Sequence, residues 1–178
     1  IINISTTASS ISDCLRNIEQ QSGFKLKEVL VSFSGEEVSS TNSVGQAAIS
    51  EKEVSARDIE NALNMSSTLK IPNDKTLLYV VPNSFFIDGQ GNIDDPLGMN
   101  GIKLEARSHL IHCSKNTKDN IKKCLKVSSS GIGIRKYFYS QLGVAHSVLT
   151  DYQKKLGVCV LDIGAGTTDI SVYQNGSI

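Results

Sequence analysis

The sequence has no surplus of either charge: 18 basic side chains meet 18 acidic ones, for a formal net charge of zero. A duplex-DNA binder carries a basic excess or stripe, so nucleic acid is disfavoured as the main partner. No apolar run approaches the roughly 18 residues of a membrane span, and nothing resembles a signal peptide. None of the four cysteines, Cys14, Cys113, Cys124 and Cys159, belongs to a Cys-x-x-Cys pair. Cys14, Cys124 and Cys159 fall inside apolar patterns and are expected as buried thiols of a reducing cytosol. An initiator Met is also missing, the chain opening on Ile1-Ile2, so an internal piece of something larger is expected.

What remains describes a soluble globular chain of 178 residues, 39% hydrophobic and 20% charged. That length suits one ordinary domain or two small ones sharing an interface. Ile11, Cys14, Leu15 and Ile18 recur with helical spacing, and Gly23 lies where that helix stops. Val29 to Phe33 reads as a short buried strand, and Thr41 to Ile49 as a weaker one with Gly45 inside it. Ser50 to Glu53 and Ser55 to Asp58 both fit the capping pattern, with a helix beginning near Ser55 and broken by Pro72-Asn73-Asp74. Thr76 to Val81 is the clearest buried strand, limited by Pro82, and Phe85 to Asp88 extends the ribbon toward a Gly89–Gly91 turn.

Ile102, Leu104, Ala106 and Leu110 alternate with charged or His residues, the period of a strand with one face in the core. Ile121, Cys124 and Leu125 mark a helix whose other face carries Lys115, Lys118, Lys122, Lys123 and Lys126. That lysine run reads as a solvated face rather than an anion or lipid site. A short strand from Tyr137 and a helix around Val144 to Leu149 come next. Leu156 to Leu161 and Ile170 to Tyr173 follow as strands, and Asn175-Gly176 is a strong hairpin signal.

The stretch that carries chemistry is Leu161-Asp162-Ile163-Gly164-Ala165-Gly166-Thr167-Thr168-Asp169, with strands on both sides. A tight Gly-rich turn exposes successive backbone amides, and missing side chains let phosphate oxygens come close. The binding set is therefore Gly164, Ala165, Gly166, Thr167 and Thr168, the threonines adding hydroxyl donors. Asp162, at the end of the incoming strand, is placed to hold a hydrated Mg²⁺ or to orient an attacking water. Gly-x-Gly alone would favour a plain hairpin; the full string between two apolar strands is far more specific.

This string resembles the second phosphate loop of the actin, sugar-kinase and heat-shock-chaperone ATPase superfamily. Further segments narrow the likeness to the FtsA family: Leu156 to Tyr173 (LGVCVLDIGAGTTDISVY), Ser147 to Thr150 (SVLT), Val31 to Gly35 (VSFSG), Ile49 to Val54 (ISEKEV) and His109 to Ile111 (HLI). The resemblance implies an α/β fold: an incomplete actin-like (ribonuclease H-like) lobe with an α+β insert of the SHS2 type. It implies residues 1–35 in the first lobe, 36–113 as an insert for protein interaction, 114–155 as the rest of that lobe, and 156–178 as the start of the second.

The same likeness implies ATP and Mg²⁺ as ligands, polymerisation into filaments, and binding to the tubulin-like FtsZ and other division proteins. It also implies a cytoplasmic place at the inner face of the inner membrane, reached through a terminal amphipathic helix not in this sequence. A first phosphate loop, an Asp- or Glu-x-Gly-Thr segment, is expected upstream of Ile1, and the adenosine pocket beyond Ile178. Where many relatives carry Glu-Pro-Leu, Ser140-Gln141-Leu142 stands here, so an acidic group for activating water is absent. Weak hydrolysis is expected of the full-length protein and little ATP binding of this stretch alone. Two other readings stay open: an interaction module with a vestigial nucleotide site, and a relative such as a pilus-assembly ATPase or a sugar kinase.

Other residues carry less. Gly131-Ile132-Gly133 lacks the third glycine of a dinucleotide fingerprint, Lys136 standing there, and reads as a loop. His109 and His112 sit three apart on a strand, on opposite faces, which disfavours zinc. His146 is expected near a helix start, at the surface.

Overall fold

The computed structural model describes residues 3–68, 71–128 and 131–178, the side chain of Glu37 aside. Its α-helices are α1 (Ile4–Ser22), α2 (Ala56–Ser67), α3 (Lys115–Ser128), α4 (Ser140–Val148) and α5 (Asp151–Leu156). Its strands are β1 (Glu28–Phe33), β2 (Val38–Ala48), β3 (Lys75–Ile87), β4 (Gln90–Ile93), β5 (Lys103–Ser114), β6 (Gly133–Tyr139), β7 (Val158–Ile163) and β8 (Thr168–Tyr173). The fold is the mixed α/β class expected. Three sheets organise it: a parallel pair β1-β6, an antiparallel sheet in the order β2-β5-β3-β4, and an antiparallel hairpin β7-β8.

Helix α1 begins where Asn3 accepts the amide of Thr6 and ends at Gly23, which takes a left-handed φ of 72° and donates to Glu19. It packs on α3, with Leu15 buried. Cys14 points to solvent, as Cys159 does, whereas Cys113 and Cys124 are buried. Burial of Cys14 and Cys159 was therefore the wrong expectation. An apolar neighbour in sequence sits a quarter-turn away on a helix and on the opposite face of a strand.

The four-stranded sheet packs one face against α2. Ile49, Val54, Ala62, Phe85, Ile87, Leu104 and Ala106 form its core, with Ile59 and Leu63 of the helix against them. Leu104, Ala106 and Leu110 are buried by period-two alternation, but Ile102 precedes the strand and is 80% exposed. Pro82 does not limit its strand. The β3 ladder to β5 runs on past it with a register shift between Pro82 and Ser84, and β4 reaches only Phe85 to Ile87. No strand pairs with Pro82 on that side among the described residues, its carbonyl accepting instead from Ser177 Oγ at 3.1 Å, so its missing N–H leaves no ladder bond unmade. β1 is a strand but not a buried one: it pairs with β6 alone among the described residues, and Leu30 is 61% exposed.

The start of α2 is set by Ser55 and Asp58, which form a reciprocal capping box. Ser50 caps no helix. Its hydroxyl donates to Asp58 Oδ1 at 2.7 Å, while the hydroxyl of Ser55 donates to Oδ2 at 2.6 Å. Ser55, then Ser50, hold the Asp58 pKa down to about 2 against the effect of burial. A carboxyl so depressed stabilises the fold above its unfolded value of about 4. That contribution is lost as the pH falls through the folded value of about 2. Ser55→Ala is expected to lower stability by about 1 kcal/mol at neutral pH in urea denaturation. The deficit should narrow as the solution is acidified through that window; a deficit indifferent to pH would exclude Asp58 as its source.

Helix α5 had no counterpart in the sequence reading, although Thr150 and Gln153 form a second capping box. His146 lies in the last turn of α4, not near its start. Ala145, Val160 and Tyr173 make a small core that seats the β7-β8 hairpin on α4. At the far end, Asn175 and Gly176 take φ values of 53° and 85°, the handedness of a tight hairpin turn.

Candidate nucleotide site

Parallel strands β1 and β6 end side by side, Phe33 opposite Tyr139. In open α/β sheets the carboxyl ends of parallel strands are where ligands bind. Helix α4 starts directly after Tyr139, which offers no side-chain cap, and its first turn holds no acidic residue. The first amides of such a helix favour negative charge. Ser140 Oγ donates to the carbonyl of Phe33 at 2.6 Å, tying the helix start to the end of β1.

The β7-β8 hairpin brings its loop to this edge. Asp162 and Asp169 are register partners across the ladder, on the hairpin face that also carries Val160, Ser171 and Tyr173. Each carboxylate takes a neutral donor from a different element. Gln141 Nε2 donates to Asp162 Oδ2 at 2.9 Å, and the amide of Gly35 donates to Asp169 Oδ1 at 3.0 Å. Tyr139 stands close by: burial, then the charge of Asp169, pushes its phenol pKa up.

In the loop, the Gly164 amide is spent on the carbonyl of Thr167 at 2.9 Å, the bond that closes the turn. Among the described residues the amides of Ala165, Gly166 and Thr167 have no protein partner, and residues 164 to 168 are exposed. A Cβ on Gly166 would meet nothing within 4 Å. Ala165, Gly166 and Thr167 thus offer consecutive free donors, Thr168 adds an exposed hydroxyl, and Asp162 stands at the base of the loop. This donor set fits a phosphate chain accompanied by a divalent cation. Gly164 serves the turn itself.

Two hollows lie elsewhere. One of about 590 Å³ is lined by Asn83, Asp94, Lys155 and the Asn175 turn, and one of about 610 Å³ lies between α3 and β6. Neither is lined by residues 164 to 168. Sequence reasoning placed Asp162 and the loop side by side but missed Gly35 as a contact. It noted Gln141 only as the middle of Ser140-Gln141-Leu142, where Ser140 replaces the acid of Glu-Pro-Leu. A glutamine at the start of a helix carries no signal of what its amide will reach.

Comparison with known proteins adds a family to this geometry. Residues 35–112 match the SHS2 domain inserted in FtsA. Over all 178 residues the chain is 37% identical to cell division protein FtsA of Pseudomonas aeruginosa, covering 42% of that protein. It is 34% identical over 178 residues to FtsA of Neisseria meningitidis, again covering 42% of it. Against FtsA of Escherichia coli K12 it is 31% identical over 176 residues, 99% of this chain and 41% of the relative. The chain therefore spans about two-fifths of the length of the curated relatives it matches. No helix among the described residues is long and apolar enough to cross a membrane.

Proposed function

Because the chain belongs to the FtsA family of cell division proteins over the stretch it spans, we propose that it is part of an actin-like ATP-binding protein of the division ring. In this reading residues 1–35 and 114–155 belong to the first lobe, 36–113 form the docking insert, and 156–178 open the second lobe. The full-length protein links FtsZ filaments to the cytoplasmic face of the inner membrane, recruits later division proteins and assembles into filaments.

The observation that carries the nucleotide reading is the run of unpartnered amides at Ala165, Gly166 and Thr167 above the paired carboxylates Asp162 and Asp169. Those amides and the hydroxyls of Thr167 and Thr168 bind and orient the phosphates. Asp162 would hold the accompanying Mg²⁺, which would supply neutralisation of the phosphate charge. Ser140, which stands where many relatives carry the acid, cannot take a proton from water: its hydroxyl donates to the carbonyl of Phe33 and is not basic at neutral pH. Turnover is accordingly slow, and the bound nucleotide acts chiefly as a state marker.

Calorimetry of the full-length protein with ATP and Mg²⁺ tests this. A single site is expected, its affinity weakened about tenfold or more by Asp162→Asn. An interaction module with a vestigial site is the second reading, favoured by the missing acid at position 140. A partner peptide held by the protein with undiminished affinity after Asp162→Asn, in the absence of any ATP binding, would decide for it.

A further inference from the structure

Gln141 is a poor choice for the fold that contains it. Its side chain is wholly buried, and its carbonyl oxygen Oε1 has no hydrogen-bond partner among the described residues. A buried acceptor left unpaired destabilises the folded state, and a leucine or methionine of similar volume would avoid that cost. What the amide does make is one contact, from Nε2 to Asp162 Oδ2 at 2.9 Å. A carboxylate only accepts, so this contact fixes which end of the amide faces Asp162. It also leaves Asp162 Oδ1 as the oxygen without a protein partner among the described residues.

We infer that Gln141 is the positioning residue for Asp162: its amide holds Oδ2 so that Oδ1 is presented to the cation accompanying the phosphates. This rests on the nucleotide reading above and deepens it. The donor comes from α4, whereas Asp162 comes from β7, with α5 between them in the chain. Without the amide, Asp162 would be restrained by its backbone alone, free to rotate about its side-chain bonds. Rotation would scatter the one oxygen that the cation needs. Being neutral, glutamine does this without setting a further negative charge beside Asp162 and its cross-strand neighbour Asp169.

The test measures ATP affinity of the full-length protein by calorimetry twice, in excess Mg²⁺ and in EDTA. The proteins are wild type, Gln141→Leu, Asp162→Asn and the double variant. Gln141→Leu should lose about tenfold of the affinity that Mg²⁺ confers. Its affinity in EDTA should stay within about twofold of wild type. In the double variant the leucine should cost nothing beyond Asp162→Asn, since the two act through one oxygen. Equal losses with and without Mg²⁺ would reveal a merely structural role and overturn the inference, as would full retention of the Mg²⁺ effect. Should the leucine variant unfold by circular dichroism, Gln141→Met, more flexible and also without an N–H, takes its place; unfolding of both overturns the inference too. Wild-type protein that binds no ATP would sink the nucleotide reading itself, a different result from any of these.

Discussion

An alanine at position 45 is expected to cost the chain about 3 kcal/mol of stability, at the upper end for an overpacked core. A Cβ built on Gly45 falls 2.0 Å from the carbonyl oxygen of Ala62 and 2.2 Å from the amide nitrogen of Ser66. Both are backbone atoms of α2, so no side-chain rotation relieves the clash; the helix must lift from the sheet. The approach is close because polar contacts draw the two together there. Ser43 Oγ donates to the carbonyl of Ser66 at 2.7 Å, and Ser66 Oγ donates to Ser108 Oγ at 3.0 Å. Lifting α2 would open these bonds and part Ala62 from Leu104 and Ala106. Urea denaturation followed by circular dichroism measures the loss. A change below about 0.5 kcal/mol, the size of an ordinary surface substitution, would mean that strand and helix do not meet at this glycine.

Gly166→Val is expected to leave folding intact and to lower ATP affinity of the full-length protein by about a hundredfold. The two loop glycines differ in what surrounds them. A Cβ on Gly164 would stand 3.2 Å from the carbonyl of Thr167, inside the turn, whereas one on Gly166 would enter open space. A side chain in that space occupies the approach that phosphate oxygens need to reach the neighbouring amides. Thermal melts should coincide for the two proteins while calorimetry separates them. Unchanged affinity in the valine variant would show that phosphates do not approach the loop from this side.

The loop was legible in the sequence because its parts are local. Asp162, two glycines, two threonines and Asp169 lie within eight residues, and a turn between strands brings them together whatever the rest does. The helix at Ser55 was legible for the same reason, its cap and partner being three residues apart. What stayed hidden depends on distant chain segments. Gly35 and Asp169 are 134 residues apart, and only the end-to-end meeting of β1 with the hairpin joins them. Gln141 carried no signal of its own beside the lost acid at Ser140, and its contact needed α4 to be placed. Strand burial was misjudged where an apolar run ends on an open face: Leu161, Ile163, Ile170 and Val172 all lie on the exposed side of β7-β8. Alternation tells two faces apart, but not which of them is covered within a given stretch of chain.

The bond from Gly35 to Asp169 has a mechanical meaning. Gly35 is the first residue of the match to the SHS2 domain, and it turns the chain out of β1 with a φ of 70°. Its notional Cβ lies 3.6 Å from the methyl of Thr167. In the proposed reading, a tug on the insert would be felt first at Gly35, which leans on the loop proposed to hold phosphate. Linked equilibria are reciprocal: if a partner's grip on the insert shifts that glycine, it alters the hold on nucleotide by the same factor by which nucleotide alters the grip on the partner.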